Sequence, residues 1–251
     1  MGRRELFLLL LIVLCLLHPN GELQAQSTNG DDRKFEVGGQ FTLLTTPIVT
    51  QVTESAVCIT PGCPPSTFTL SRARKTQPGF GGRFGYNLNS SVALEAELNL
   101  FPGADSFTGP EEFNDGYFLE GLFGVKAGKR FEKVGIFGKA RPGFLYASQG
   151  DLEPKPDTAC IQIFPSPAGC FQPTGINSFA VDVGGVLEIY PTARTVIRFD
   201  FGDTIVRLRE RDVSTVYTRV ASSQAPRFVF WRMPAETTHN FQVSVGIAFR
   251  F

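Results

Sequence analysis

Apolar and polar residues alternate one for one in eight stretches of this chain, from Phe35 to its last residue. The last stretch is the plainest. Phe241, Val243, Val245, Ile247, Phe249 and Phe251 fall on one side, and Gln242, Ser244, Gly246, Ala248 and Arg250 on the other. Val92, Leu94, Ala96, Leu98 and Leu100 likewise oppose Ala93, Glu95, Glu97 and Asn99. Phe179, Val181, Val183, Gly185, Leu187 and Ile189 oppose Ala180, Asp182, Gly184, Val186 and Glu188. A helix would scatter these sets around its circumference, whereas a strand sorts them onto two faces. Residues 35–46, 78–86, 117–127, 133–146 and 195–207 repeat the pattern less strictly. They set Phe41, Phe80, Phe123, Phe144 and Phe199 against Glu36, Arg83, Glu120, Lys126, Lys139, Arg141, Arg198 and Asp200.

The connections sort as well. Long ones (47–77, 101–116, 147–178 and 208–240) strictly alternate with short ones (87–91, 128–132 and 190–194). The short ones carry turn residues such as Asn87, Asn89, Gly128 and Pro191. A soluble sandwich has no reason to put every long loop at one end, while a transmembrane barrel has short periplasmic turns and long outer loops. A strand of ~10 residues at roughly 3.3 Å each is about 33 Å long. Tilted, it spans the apolar band of about 25 Å found in such barrels. Aromatic residues cluster at two levels of the apolar face. Phe80, Tyr117, Phe144, Tyr146, Phe179 and Phe241 lie near one rim, and Phe35, Phe84, Tyr86, Phe249 and Phe251 near the other. Two aromatic girdles belong where a barrel meets the headgroups. The pattern predicts an all-β chain: an eight-stranded antiparallel up-and-down transmembrane β-barrel.

In such a barrel the polar face points inward. It gathers the acids Glu36, Glu95, Glu97, Glu120, Asp182, Glu188 and Asp200 and the bases Arg83, Lys126, Lys139, Arg141, Arg198 and Arg250. Eight strands enclose a bore just wide enough for side chains to fill. A buried charge without a partner is strongly unfavourable. Near-equal numbers of opposite charges therefore predict a network of ion pairs that plugs the bore.

Composition narrows the class. Lys plus Arg equals Asp plus Glu at 24 each, which argues against a nucleic-acid partner. With a hydrophobic fraction of 42%, the chain is too apolar to be disordered. Arg3 and Arg4 precede an unbroken apolar run from Leu6 to Leu17, too short to span a bilayer as a helix, and Pro19 and Gly21 follow. Residues 1–25 are expected to be a secretory signal peptide, 26–33 a short periplasmic segment and 34–251 the barrel. Past that leader the cysteines are Cys58, Cys63, Cys160 and Cys170, an even set that predicts disulfides in an exported protein. Proximity favours pairing within each long loop, and the other pairings stay open. Neither spacing is a zinc knuckle, and no metal or cofactor is expected.

Gly79-Phe80-Gly81-Gly82-Arg83-Phe84-Gly85-Tyr86-Asn87, followed by Val92-Ala93-Leu94-Glu95-Ala96-Glu97, resembles the second hairpin of small OmpA-like outer-membrane barrels. Phe241 to Phe251, ending in an aromatic residue, is similar to the terminal assembly signal of that class. The resemblance implies an outer membrane of a diderm bacterium. It also implies that Val245, Ile247, Phe249 and Phe251 are read by the barrel-assembly machinery. No peptidoglycan-binding domain follows the strands, so cell-wall anchoring is not implied.

The expected function is a non-enzymatic barrel with a structural or surface-contact role. A narrow porin-like channel for small solutes is the first alternative. An outer-leaflet lipid-modifying enzyme is the second, and it would need a nucleophile and base, for which His239 beside Thr237 and Thr238 is the one histidine past the leader. In the long loops, 47–77 carries strand-like patterns, as do Val213 to Tyr217 and Phe228 to Trp231. The outermost strand pairs are therefore expected to extend as hairpins whose edges can capture an extracellular partner. Alternatively, 213–219 and 227–233 add two spanning strands. Arg207, Arg209 and Arg211 are placed to meet lipopolysaccharide phosphates among the outer-membrane lipids, or else form a solvated rim.

Overall fold

The computed structural model of the chain describes residues 33–54, 68–104, 116–154, 171–217 and 227–251. The leader, nearly all of the segment 26–33 and all four cysteines outside the leader lie outside the described residues. Every regular element within them is a strand: β1 (Phe35–Glu54), β2 (Phe68–Asn87), β3 (Val92–Ala104), β4 (Gly116–Arg130), β5 (Val134–Pro154), β6 (Phe171–Ile189), β7 (Thr195–Leu208), β8 (Arg211–Tyr217), β9 (Arg227–Met233) and β10 (Glu236–Arg250).

β1 to β7 pair in sequence order, β7 pairs with β10, and β10 returns to β1, so eight antiparallel strands close into a barrel. The seam between β10 and β1 runs from Glu36↔Arg250 to Thr45↔Phe241. Phe35 and Phe251 finish it with reciprocal backbone bonds of 3.1 and 3.0 Å. Closure removes the sheet edges that would otherwise be left unpaired.

The outermost pairing differs from expectation in part. β1 and β2 continue as a ribbon to Glu54↔Phe68, as foreseen. β5 and β6 do the same to Pro154↔Phe171, which the broken alternation around Pro154 and Pro173 concealed. β7 and β10 stop at Leu208↔Glu236 instead. β8 and β9 then pair with each other, from Arg211↔Met233 to Tyr217↔Arg227, and β8 meets the barrel strands at a parallel bridge, Val52↔Tyr217, and through the Asp212 N–H, which donates to Asp151 Oδ1 at 2.7 Å. They are a hairpin beyond the barrel, not two further spanning strands. Their runs are seven residues each, too short to cross an apolar band that takes about 9–11 residues per strand.

Polarity is the reverse of a soluble fold. Phe80, Phe123, Phe179, Phe249 and Phe251 turn outward and are 57–64% exposed, while the interior charges are almost wholly buried. Rings meet at both rims. Phe35 lies 5.2 Å from Tyr86 and 6.0 Å from each of Phe84 and Phe251 at the short-turn end, and Tyr117 lies 6.1 Å from Tyr146 at the other.

Candidate functional site

Strand parity sends one residue in two into the bore, and antiparallel register stacks those residues in layers. The lowest layer, at the short turns, is anchored by Tyr190. Its hydroxyl donates to Glu188 Oε2 at 2.7 Å and accepts from Arg130 Nε at 3.2 Å, while the Arg250 guanidinium lies over its ring at 4.4 Å.

Above it runs a continuous ionic network. Arg250 pairs with Glu36 and Glu188 at 3.2 Å each. Arg83 joins Glu36 at 3.5 Å to Asp200 at 3.7 Å. Arg198 grips Asp200 at 2.6 Å and Glu188 at 3.6 Å, and donates to Glu95. Lys126 bridges Glu95 at 3.2 Å and Glu188. These pairs close a circuit that crosses the bore, since Arg83 on β2 reaches Asp200 on β7 and Arg198 on β7 reaches Glu95 on β3. A branch climbs from it: Lys139 links Asp200 at 3.3 Å to Asp182 at 3.0 Å, and Arg141 links Asp182 at 2.6 Å to Glu97. Every charged residue the parity argument sends inward is buried, and all of them except Glu120 belong to this network.

Glu120 sits one layer higher, among amides and hydroxyls. Its Oε2 accepts from Asn99 Nδ2 at 2.8 Å and Gln242 Nε2 at 2.9 Å, and its Oε1 has no hydrogen-bond partner. Asn99 also donates to Glu97 at 2.8 Å, and Gln40 donates to Asn99 at 2.8 Å. Thr204, Thr42 and Ser244 complete the layer through Gln242 and each other.

The top of the bore is mainly apolar, with buried Gln77, Ser178 and Thr238 paired beside Leu44, Leu145 and Val206. Leu44, Phe101, Phe118, Leu145, Ala147, Ile176, Ala180, Val206 and Leu208 form one buried cluster. Register carries it from strand to strand: Phe101↔Phe118, Phe118↔Ala147, Ala147↔Ile176 and Ala180↔Val206. Sequence reasoning missed this layer because it tracked inward charge rather than inward parity. The alternation that turns Glu95 and Glu97 inward also turns Phe101 inward, two positions after Asn99. The hairpin's root lies over the mouth, with Arg211 and Met233 both buried. Arg211 therefore does not join an exposed arginine cluster. It pairs with Glu236 at 2.9 Å, and only Arg207 and Arg209 remain exposed.

His239, the histidine of the enzymatic alternative, points outward with 65% of its side chain exposed. The acid that its sequence neighbourhood lacks is supplied across the strands by Asp203, whose Oδ2 lies 2.6 Å from His239 Nδ1. Among the described residues no hydroxyl is hydrogen-bonded to His239. The described residues also hold no group of three or more His, Cys, Asp or Glu side chains placed to bind a metal ion.

No family profile and no curated protein matches the chain. Solved structures resemble it at low identity. Neisserial surface protein A is 10% identical over 86% of this chain and 97% of its own, with a TM-score of 0.46. Ail, the attachment invasion locus protein of Yersinia pestis, is 13% identical over 87% and 99%, with a TM-score of 0.42. The outer membrane protein OprG of Pseudomonas aeruginosa is 8% identical over 89% and 99%, with a TM-score of 0.40.

Proposed function

We propose that this chain is an integral outer-membrane β-barrel with a sealed bore, serving a structural or surface-contact role without enzymatic activity. The observation that carries the reading is the inverted polarity. Arg141, Arg198, Glu188 and Asp182 are fully buried inside a closed cylinder, while Phe179, Phe249 and Phe251 face out. In water that arrangement forfeits hydrophobic burial and desolvates charge at once, whereas in a bilayer hydrocarbon covers the apolar face and the paired interior is the less costly place for charge. The asymmetry of the connections supports an orientation with the short turns at the periplasmic end and the ribbons outside.

Three partners follow from this reading. Outer-membrane lipids, lipopolysaccharide included, cover the apolar band. The barrel-assembly machinery reads the closing strand through Val245, Ile247, Phe249 and Phe251, which are 42–64% exposed. An extracellular partner meets the ribbons of β1 and β2 or the hairpin beyond the bore.

Fractionation followed by a heat-modifiability gel tests the proposal. The protein should sediment with the outer membrane and migrate faster unboiled than boiled. A soluble fraction with no mobility shift would overturn it.

A further inference from the structure

Outward positions on the spanning part of β7 and β10 are apolar from Phe199 and Phe201 through Val243, Val245 and Ile247. The pattern breaks at their upper ends. Register sets three outward rows there: Asp203 beside Phe241, Ile205 beside His239, and Arg207 beside Thr237. On the other side, Phe179 of β6 pairs with Arg207 and Val181 with Ile205. Phe179 and Phe241 belong to the upper aromatic girdle, so this polar notch lies at headgroup depth with an apolar floor below it.

At that depth a carboxylate on the outer face is tolerated, because the cost of charge falls off toward the interface. Asp203 has a specific partner in His239 Nδ1 at 2.6 Å, while its Oδ1 is enclosed without a hydrogen-bond partner. The contact fixes the ring, and the exposed imidazole then turns Nε2 away from Asp203, outward. One row above, Arg207 Nη1 donates to Thr237 Oγ1 at 3.0 Å, which holds the guanidinium against the barrel wall with its other donors unspent on that bond. Successive same-face rows are roughly 7 Å apart. Charge-assisted bonds of about 2.8 Å from each side let a single phosphate bridge that gap. The nearby acid Glu210 is engaged by Arg232 at 3.5 Å, so it does not cancel the notch's positive side.

We infer that Arg207 and His239, held by Thr237 and Asp203, form a binding site for the phosphomonoester of an outer-leaflet glycolipid. The inference rests on the membrane reading above. In the complex the imidazolium donates from Nδ1 to Asp203 and from Nε2 to a phosphate oxygen, and the guanidinium donates to a second oxygen. The acyl chains lie along Ile205, Val181 and Val183. Asp203 acts as a positioning residue.

The test uses the folded protein in nonionic micelles, titrated with bisphosphorylated lipid A, its dephosphorylated counterpart and inorganic phosphate. Calorimetry gives affinity, and imidazole nitrogen shifts report on His239. Lipid A should move the Nε2 resonance. Arg207→Ala and His239→Ala should each weaken it by roughly tenfold or more, the loss expected for hydrogen bonds to a charged group, and Arg207→Lys should restore part of it. Asp203→Asn should shift both ring nitrogens in the free protein and weaken binding. Equal affinity for the dephosphorylated lipid, or variants that bind as the parent does, would overturn the site. Inorganic phosphate binding as tightly as lipid A would overturn the lipid source. Each variant must keep its mobility shift on boiling; a parent protein without that shift would instead count against the membrane reading.

Discussion

Among the interior charges Glu120 is the odd residue. The other acids, Glu36, Glu95, Glu97, Asp182, Glu188 and Asp200, match the bases Arg83, Lys126, Lys139, Arg141, Arg198 and Arg250 in number and lie in one network with them. Glu120 has amide donors and no basic group within ion-pair distance among the described residues. An uncharged isostere keeps its two accepted bonds, so Glu120→Gln should leave the urea midpoint unchanged or raise it. Glu95→Gln strips a partner from both Arg198 and Lys126 and should lower stability by roughly 3–5 kcal/mol, the usual result of breaking a buried pair. Band-shift gels across a urea series compare the two. Tyr190, in the turn below the lower girdle, carries a pH prediction. Burial, and after it the Glu188 carboxylate, push its phenol up to about 12 from an ordinary value of about 10. The neutral phenol is thus the form the folded state favours. Its contribution is complete below pH ~10 and disappears as pH rises through the folded value. Phenolate absorbance should show one late-titrating tyrosine, absent in Tyr190→Phe. That variant should also lose less stability than the parent between pH 10 and 12.

At the scale of the strand, the tightest constraint is close approach between neighbours. A Cβ on Gly184 would stand 2.1 Å from the Phe201 carbonyl oxygen and 2.6 Å from Gly202 Cα, both backbone atoms that cannot swing aside. Gly82 faces outward, and its Cβ would find nothing nearer than 3.8 Å. Gly184→Ala should therefore cost roughly 1–3 kcal/mol, and Gly82→Ala should stay within about 0.5 kcal/mol, both read from unfolding midpoints in micelles. The alternation that separates these two glycines was legible in the chain. It set Phe249 out and Arg250 in, and it ranked the short turns against the long connections. What stayed hidden depends on partners from different strands. Nothing near His239 in sequence announces Asp203, because the two meet only through the register of β7 and β10. The ribbon of β5 and β6 was obscured by prolines at Pro154 and Pro173, since a missing backbone donor argues against a strand until the pairing is seen. The apolar layer was legible in principle, since Phe101, Leu145 and Val206 continue the inward parity of charged residues on their own or neighbouring strands.

For the whole molecule, sealing is a property of stacked layers rather than of any one contact. Water entering from above meets Phe101, Phe118 and Leu145, which offer it no hydrogen bonds. Below them, an ion would have to displace a guanidinium or carboxylate from partners it cannot replace: Arg198 alone holds Asp200, Glu95 and Glu188. The two barriers are chemically different and act in series, so removing one leaves the other. The parent protein should give no steady single-channel current in planar bilayers. Phe101→Ala combined with Phe118→Ala should open the apolar layer, shown by faster solvent exchange of the Asn99 and Gln242 side-chain amides, and still conduct nothing. Adding Arg198→Ala and Glu95→Ala removes, as a neutral set, the ion pair that reaches across the bore from β7 to β3, so the remaining network charges stay balanced. Only that fourfold variant should show small steady openings. Porin-sized currents from the parent, or from the double phenylalanine variant, would mean that the charged layers do not block the bore.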